Sequence, residues 1–266
     1  MFAGAAAGCL GALLGIGGGV FLIPFLNVVL GLDMRSAAGI SLMTVIATSS
    51  VVAAGSANRH VINLRLGILL QLPAVAGGLL GAESVESLSQ RTLYIVFASV
   101  TGVIALVMLT RLDRRNVILD ATMDPGPFGG RYYEQESRGD VVYRLRRLPA
   151  ALGISFSGGV LSGLLGIGGG ILQVPALNAW CGIPMRAAAA LTAAVIGITA
   201  LGSAPIYYAR GRVIAPLAAA AVLGVLAGSR LGMWMSPRAR ARWLKILMAA
   251  VLAIVSSIYL YKSVAG

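Results

Sequence analysis

The sequence predicts an all-α polytopic membrane protein made of two homologous halves, and three observations predict it. Of its 266 residues 58% are hydrophobic and only 11% charged, where a soluble domain carries about a quarter charged residues. The charges cluster, leaving apolar runs near the ~20 residues that a helix needs to cross a bilayer. Finally, the phrase Leu13-Leu14-Gly15-Ile16-Gly17-Gly18-Gly19-Val20, with Pro24 after it, returns as Leu164-Leu165-Gly166-Ile167-Gly168-Gly169-Gly170-Ile171, with Pro175 after it.

In chain order, residues 2–30 form a first apolar run. Each glycine inside a helix costs about 1 kcal/mol against alanine, so four in five positions predict a break at residues 15–19. Pro24 lacks a backbone donor and predicts a second interruption. Each piece is then about a dozen residues, ~18 Å of helix against ~30 Å of hydrocarbon. A polar turn at 31–35 precedes a span at 36–57 rich in Ala, Ser and Thr. Arg59, His60, Asn63 and Arg65 mark a loop, in which His60 reads as solvated. The span at 64–85 contains Pro73 and the small-residue face Gly77, Gly78, Gly81, a spacing that lets helices approach closely in lipid. A cleaner span follows at 92–110.

Residues 111–147 hold eight arginines and six acids and read as a solvated linker. Its tail, 141–147, reads as a basic amphipathic piece lying on the membrane surface. The second half repeats the plan: a broken run at 150–179, a turn at 182–186, and spans at 187–208, 213–233 and 244–261. The organisation expected is a first membrane repeat at 1–112, a cytoplasmic linker at 113–148 and a second membrane repeat at 149–266.

At an offset of 151 the halves align without a gap: Gly17 with Gly168, Pro24 with Pro175, Asn27 with Asn178, Met34-Arg35 with Met185-Arg186, Thr48 with Thr199 and Arg59 with Arg210. A duplicated unit of this kind is a recurrent plan for secondary transporters. If each glycine-broken run dips into the membrane and returns, every half has an odd number of crossings and the copies are inverted. Sixteen of the 21 basic residues then fall on the linker side. If each run crosses instead, the copies are parallel and the division is thirteen to eight. Lys/Arg asymmetry marks the cytoplasm, which favours the inverted arrangement, with the linker inside and both termini outside.

The net charge of +12 would suggest nucleic acid in a soluble chain, but here the basic residues flank membrane segments and set their orientation. Cys9 and Cys181 show neither metal nor disulfide spacing. The first apolar run has no basic n-region, so a cleaved signal peptide is not expected. Neither paired acids nor a nucleophile with its base stands within the spans, so no enzyme, metal or cofactor is expected.

A small anion crossing a bilayer must exchange its water for fixed donors. Half-helix N-termini supply free amides and a partial positive charge, and glycine lets that backbone approach a ligand. Gly17, Gly18, Gly19 and Gly168, Gly169, Gly170 are therefore the candidate backbone donors, their alternative role being close helix packing. The amides of Asn27, Gln173 and Asn178 either join the anion site or bond carbonyls freed beside the breaks. Arg35 and Arg186 either draw anions to the two mouths or anchor the interface. Ser41, Thr192, Thr48 and Thr199 line the path or bond their own helices. Glu83 is either a coupling group or a helix-end carboxylate.

The doubled glycine phrase with its prolines, together with the helix starts Met34-Arg35-Ser36-Ala37 and Met185-Arg186-Ala187-Ala188, resembles the sulfite exporter TauE/SafE family of membrane transporters. The likeness covers nearly all of the membrane part and omits the linker. It implies export of a small anion through the cell membrane, with sulfite or an organosulfonate first and another carboxylate or inorganic anion as the alternative. A passive anion channel would use the same broken helices. The partners expected are the anion and the bilayer, with a homodimer left open.

Overall fold

The structure is a computed structural model that describes residues 1–57, 63–110, 124–134, 139–235 and 241–265. Arg59, His60, Arg238 and Arg240 lie outside these residues. The described chain forms the helices α1 (Phe2–Leu14), α2 (Gly19–Pro24), α3 (Met34–Ala57), α4 (Leu64–Ser84) and α5 (Gln90–Thr110) in the first half. After the hairpin β1 (Gly130–Glu134) and β2 (Gly139–Tyr143) come α6 (Leu148–Leu165), α7 (Gly170–Trp180), α8 (Met185–Ala209), α9 (Ala215–Met235) and α10 (Ala241–Ala265). Among the described residues seven helices are long and apolar enough to cross a membrane: α3, α4, α5, α6, α8, α9 and the 246–263 part of α10. The protein is thus an all-α, multi-pass membrane protein.

Helix α1 ends at Leu14 because Gly15 turns left-handed, at φ 70°, and its amide caps Gly11 O. Gly17 and Gly18 follow at φ 84° and 70°, and their counterparts Gly168 and Gly169 at 82° and 63°. Left-handed backbone costs other L-residues about 1–2 kcal/mol each, which is why the chain needs glycine here. The prolines behave differently from the sequence expectation. Pro24 lies inside α2, whose helix continues through a π turn at Phe25–Val29, and α7 runs unbroken through Pro175. A proline removes one backbone donor, and within a packed membrane helix local π adjustment or neighbouring contacts absorb that loss.

Helix packing repeats across the halves. A Cβ added at Gly8 of α1 would lie 2.4 Å from Val225 O of α9, and one at Gly159 of α6 would lie 2.1 Å from Ala74 O of α4. Gly228 meets Ala5 O as Gly77 meets Phe156 O, and Gly232 meets Cys9 O as Gly81 meets Val160 O. Every one of these contacts maps onto its counterpart at the offset of 151. Each half therefore lays its first helix against a spanning helix of the other half, α1 on α9 and α6 on α4, at distances only glycine allows. Helices α3 and α8 form the enclosed centre, with most of their membrane windows buried in protein. Helices α5 and α10 pair at the side, where the Phe97 and Tyr259 rings lie 4.6 Å apart and Ser256 Oγ donates to Ala98 O at 2.8 Å. Large apolar side chains that face away from protein, such as Leu72, Leu106, Leu223 and Ile254, suit contact with lipid tails.

Two faces differ in chemistry. The α6–α7 unit begins and ends on one of them, where Arg146 N donates to Cys181 O at 3.1 Å. The β1–β2 hairpin belongs to the same stretch, with Tyr132, Val141, Val142 and Tyr143 buried. The expected amphipathic surface piece at 141–147 is thus a strand in its first part, because the β-branched and aromatic residues Val141, Val142 and Tyr143 pair with Tyr132, Arg131 and Gly130. The opposite face carries the α2–α3, α4–α5 and α8–α9 turns.

Candidate functional site

The two glycine breaks meet. A Cβ at Gly17 would lie 2.9 Å from Ile196 Cδ1 and 3.3 Å from Val45 Cγ1, and one at Gly168 would lie 2.9 Å from Val45 Cγ1 and 3.6 Å from Ile196 Cδ1. The two glycines share one pair of side chains, Val45 of α3 and Ile196 of α8, themselves 151 residues apart. The loops also touch directly. Gly19 approaches Gly166 O and Ile167, and Gly170 approaches Ile16 and Gly15 O. Every residue from Gly11 to Val20 and from Ser162 to Ile171 is buried.

Backbone polarity at this junction is incompletely satisfied. Gly19 N turns back to Gly17 O and Gly170 N to Gly168 O. Among the described residues the amides of Gly17, Gly18, Gly168 and Gly169 find no acceptor. Buried orphan amides are rare because each forfeits the hydrogen bond it made with water. Here four of them stand at the N-termini of two helices, α2 and α7, where the helix dipole adds positive potential. Such a junction, where Gly17 and Gly168 both face Val45 and Ile196, suits a small anion stripped of water.

The hydroxyls around it divide into engaged and unengaged. Ser41 Oγ donates to Gly166 O at 2.7 Å. Thr48 and Thr199 donate to carbonyls of their own helices, and Thr199 Oγ1 accepts from Gln71 at 3.4 Å. Thr192 Oγ1 and Ser162 Oγ are buried without a hydrogen-bond partner.

The remaining candidate residues stand elsewhere. Asn27 lies in the π turn after α2, and Asn178 toward the far end of α7. Their amides donate to Leu32 O at 2.7 Å and to Ile183 O at 2.8 Å, closing the turns that lead into α3 and α8. Asn27 Oδ1 also accepts from Lys262 at 2.9 Å. Gln173 Nε2 reaches Ser155 O at 3.3 Å and binds α7 to α6. Arg35 donates to Leu88 O at 2.7 Å, and Arg186 starts α8 at the opposite face. Glu83 is exposed at the helix end and pairs with Arg210.

Sequence reasoning missed two features. One is the charge network on the α4–α5 face, where Arg212 grips Glu86 through Nε and Nη2 at 2.9 Å each. Arg35 stands 3.7 Å from the same carboxylate, and Asp33 3.9 Å from Arg212. It joins turns of both halves, and no local pattern announces a pairing across 126 positions. The other is Ser162, which aligns with Gly11 and so drops out of any comparison built on matching residues.

Comparison with known proteins agrees with this architecture. The family model for the sulfite exporter TauE/SafE matches residues 1–260. The "Probable membrane transporter protein YunE" of Bacillus subtilis is 24% identical, covering 98% of this chain and 96% of its own. The "Probable membrane transporter protein MJ0441" of Methanocaldococcus jannaschii is also 24% identical, over 93% of this chain and 89% of its own. No solved structure gives a significant match.

Proposed function

The chain belongs to the sulfite exporter TauE/SafE family, and on that footing we propose that this membrane transporter exports a small anion, sulfite or an organosulfonate first, by alternating access around the two glycine breaks. The observation that carries this reading is the meeting of two helix N-termini whose four glycine amides lack acceptors in the buried junction between the halves. An anion with several acceptor oxygens can take up those amides together, and the dipoles of α2 and α7 favour its charge.

The halves are read as inverted repeats. The return of the α6–α7 unit to the face where it starts, with Arg146 N donating to Cys181 O, supports this, as does the sequence count that puts most basic residues on the linker side in an inverted arrangement, the side assigned to the cytoplasm. Rocking one half against the other would then expose the shared junction to either side in turn.

The test is flux into proteoliposomes of labelled sulfite, taurine, sulfoacetate and sulfate, with and without a pH gradient. Saturable uptake of at least one sulfur anion is expected. Saturable uptake of a carboxylate alone would move the substrate class. Large unitary currents that ignore every gradient except the anion's own would replace the transporter with a channel. No saturable flux of any sulfur anion would remove the sulfur-anion reading.

A further inference from the structure

The two breaks share a backbone plan but not their side chains. At the start of α2 the neighbouring positions are Gly11, which has no side chain, and Ser41, whose hydroxyl is engaged by Gly166 O. The equivalent positions at the start of α7 are Ser162 and Thr192. Both are at most 1% exposed and both hydroxyls lack a partner. Their placement follows from the contacts on either side. Thr192 lies one helical turn from Ala189, which meets Gly15, and one turn from Ile196, which meets Gly17 and Gly168. It therefore shares the α8 stripe that faces the loops. Ser162 lies one turn from Gly158, whose carbonyl meets Gly169, so its hydroxyl shares the α6 stripe facing the N-terminus of α7.

A buried hydroxyl without a partner is costly, and two of them beside two unpaired amides mark a place that something else completes. We infer that the anion site is asymmetric: one oxyanion sits at the N-terminus of α7, held by the amides of Gly168 and Gly169 and by the hydroxyls of Ser162 and Thr192, while the N-terminus of α2 supplies backbone and potential only. This deepens the transporter reading above and rests on it. The two hydroxyls sit on different helices, α6 and α8, so they approach the N-terminus of α7 from different sides. That arrangement suits an anion that offers more than one acceptor oxygen, as sulfite, a sulfonate and a carboxylate all do. It also gives each half a different hold on the cargo, because α6 and α8 move with the second half while Val45 of α3 belongs to the first.

The experiment measures KM for labelled sulfite in proteoliposomes carrying the wild type, Thr192→Val, Ser162→Ala, the double variant and Thr192→Ser. Valine keeps the volume of threonine and alanine loses one atom, so monodisperse, thermally intact protein is the first readout. A neutral hydrogen bond contributes on the order of 1 kcal/mol, so KM should rise about fivefold in each single variant and about 25-fold in the double. Thr192→Ser keeps the hydroxyl and should hold KM within about twofold of the wild type. Unchanged KM in the folded valine and alanine variants would overturn the assignment, as would a Thr192→Ser variant impaired as badly as Thr192→Val. If the wild type itself shows no saturable flux of any sulfur anion, the transporter reading fails and this assignment with it. That outcome is distinct from a working transporter indifferent to both hydroxyls.

Discussion

Replacing Gly163 by alanine tests the packing that holds the halves together. A Cβ there would lie 1.9 Å from Gly78 O and 2.7 Å from Ala82 N, where ordinary contact begins at 3.4 Å. Helices α4 and α6 would have to part by about 1.5 Å, and the parting cannot stay local. Gly77, Gly81 and Gly159 make equally close approaches, at 2.2, 2.2 and 2.1 Å, along the same interface. Overpacking of this kind costs typically 1–3 kcal/mol, and the backbone nature of the clash puts it at the upper end or beyond. Alanine recovers about 1 kcal/mol of helix propensity, leaving a net loss of roughly 2 kcal/mol. Each kcal/mol moves the midpoint of a chain this size by about 2–4 °C, so the thermal midpoint in detergent should fall about 4–8 °C. Gly153→Ala in the same helix is the control, since nothing lies within 4 Å of its Cβ, and its midpoint should hold or rise slightly. Gly228→Ala, whose Cβ would lie 1.9 Å from Ala5 O in the matching α1–α9 interface, should lose as much as Gly163→Ala. Equal midpoints for Gly163→Ala and Gly153→Ala would show that the α4–α6 contact leaves room for a methyl group.

Other outcomes follow from the same geometry. Glu86→Gln should free Arg212 and Arg35 and lower the thermal midpoint by the equivalent of at most about 1 kcal/mol, an effect that shrinks in 1 M salt; a loss that salt leaves unchanged would point to packing instead. Burial pushes the Cys181 thiol up to about 11, so at pH 8 only about one thiol in a thousand is ionised and reactive. In a Cys9→Ser background native protein should label with maleimide far more slowly than unfolded protein, and rapid stoichiometric labelling of native protein would contradict the burial. The inverted-repeat arrangement proposed above would place Glu83→Cys outside and Tyr133→Cys inside. An impermeant maleimide on intact cells should therefore modify the first and spare the second until the membrane is opened, and equal labelling of both would contradict that topology.

The spans were legible because each apolar run is bounded by charged or polar turns, and the structure moves their ends by only a few residues. The breaks were legible because four glycines in five positions leave a helix no alternative. Pro24 and Pro175 misled, since one missing donor is a local loss that a π turn or packed neighbours absorb. The strand at Gly139–Tyr143 was hidden by the basic residues beyond it, which suggested an amphipathic piece on the membrane surface, while Val141, Val142 and Tyr143 carried the β signal. At the site, the duplicated glycines pointed to the junction by themselves. Asn27 and Asn178 shared the same duplication for a different reason, the closing of equivalent turns. The unpartnered hydroxyls of Ser162 and Thr192 required three-dimensional contacts, because whether a hydroxyl is engaged depends on which carbonyl faces it.

The central claim is that backbone at the glycine breaks holds the anion. Its most direct measurement compares sulfite flux by the wild type and by Gly169→Leu, both monodisperse and reconstituted at equal density. Leucine at a φ of 63° and 2.4 Å from Gly158 O must displace the amides at the start of α7. Saturable flux is expected in the wild type and none above the lipid background in the variant. Intact, saturable flux through well-folded Gly169→Leu would mean that the backbone at the start of α7 does not hold the anion.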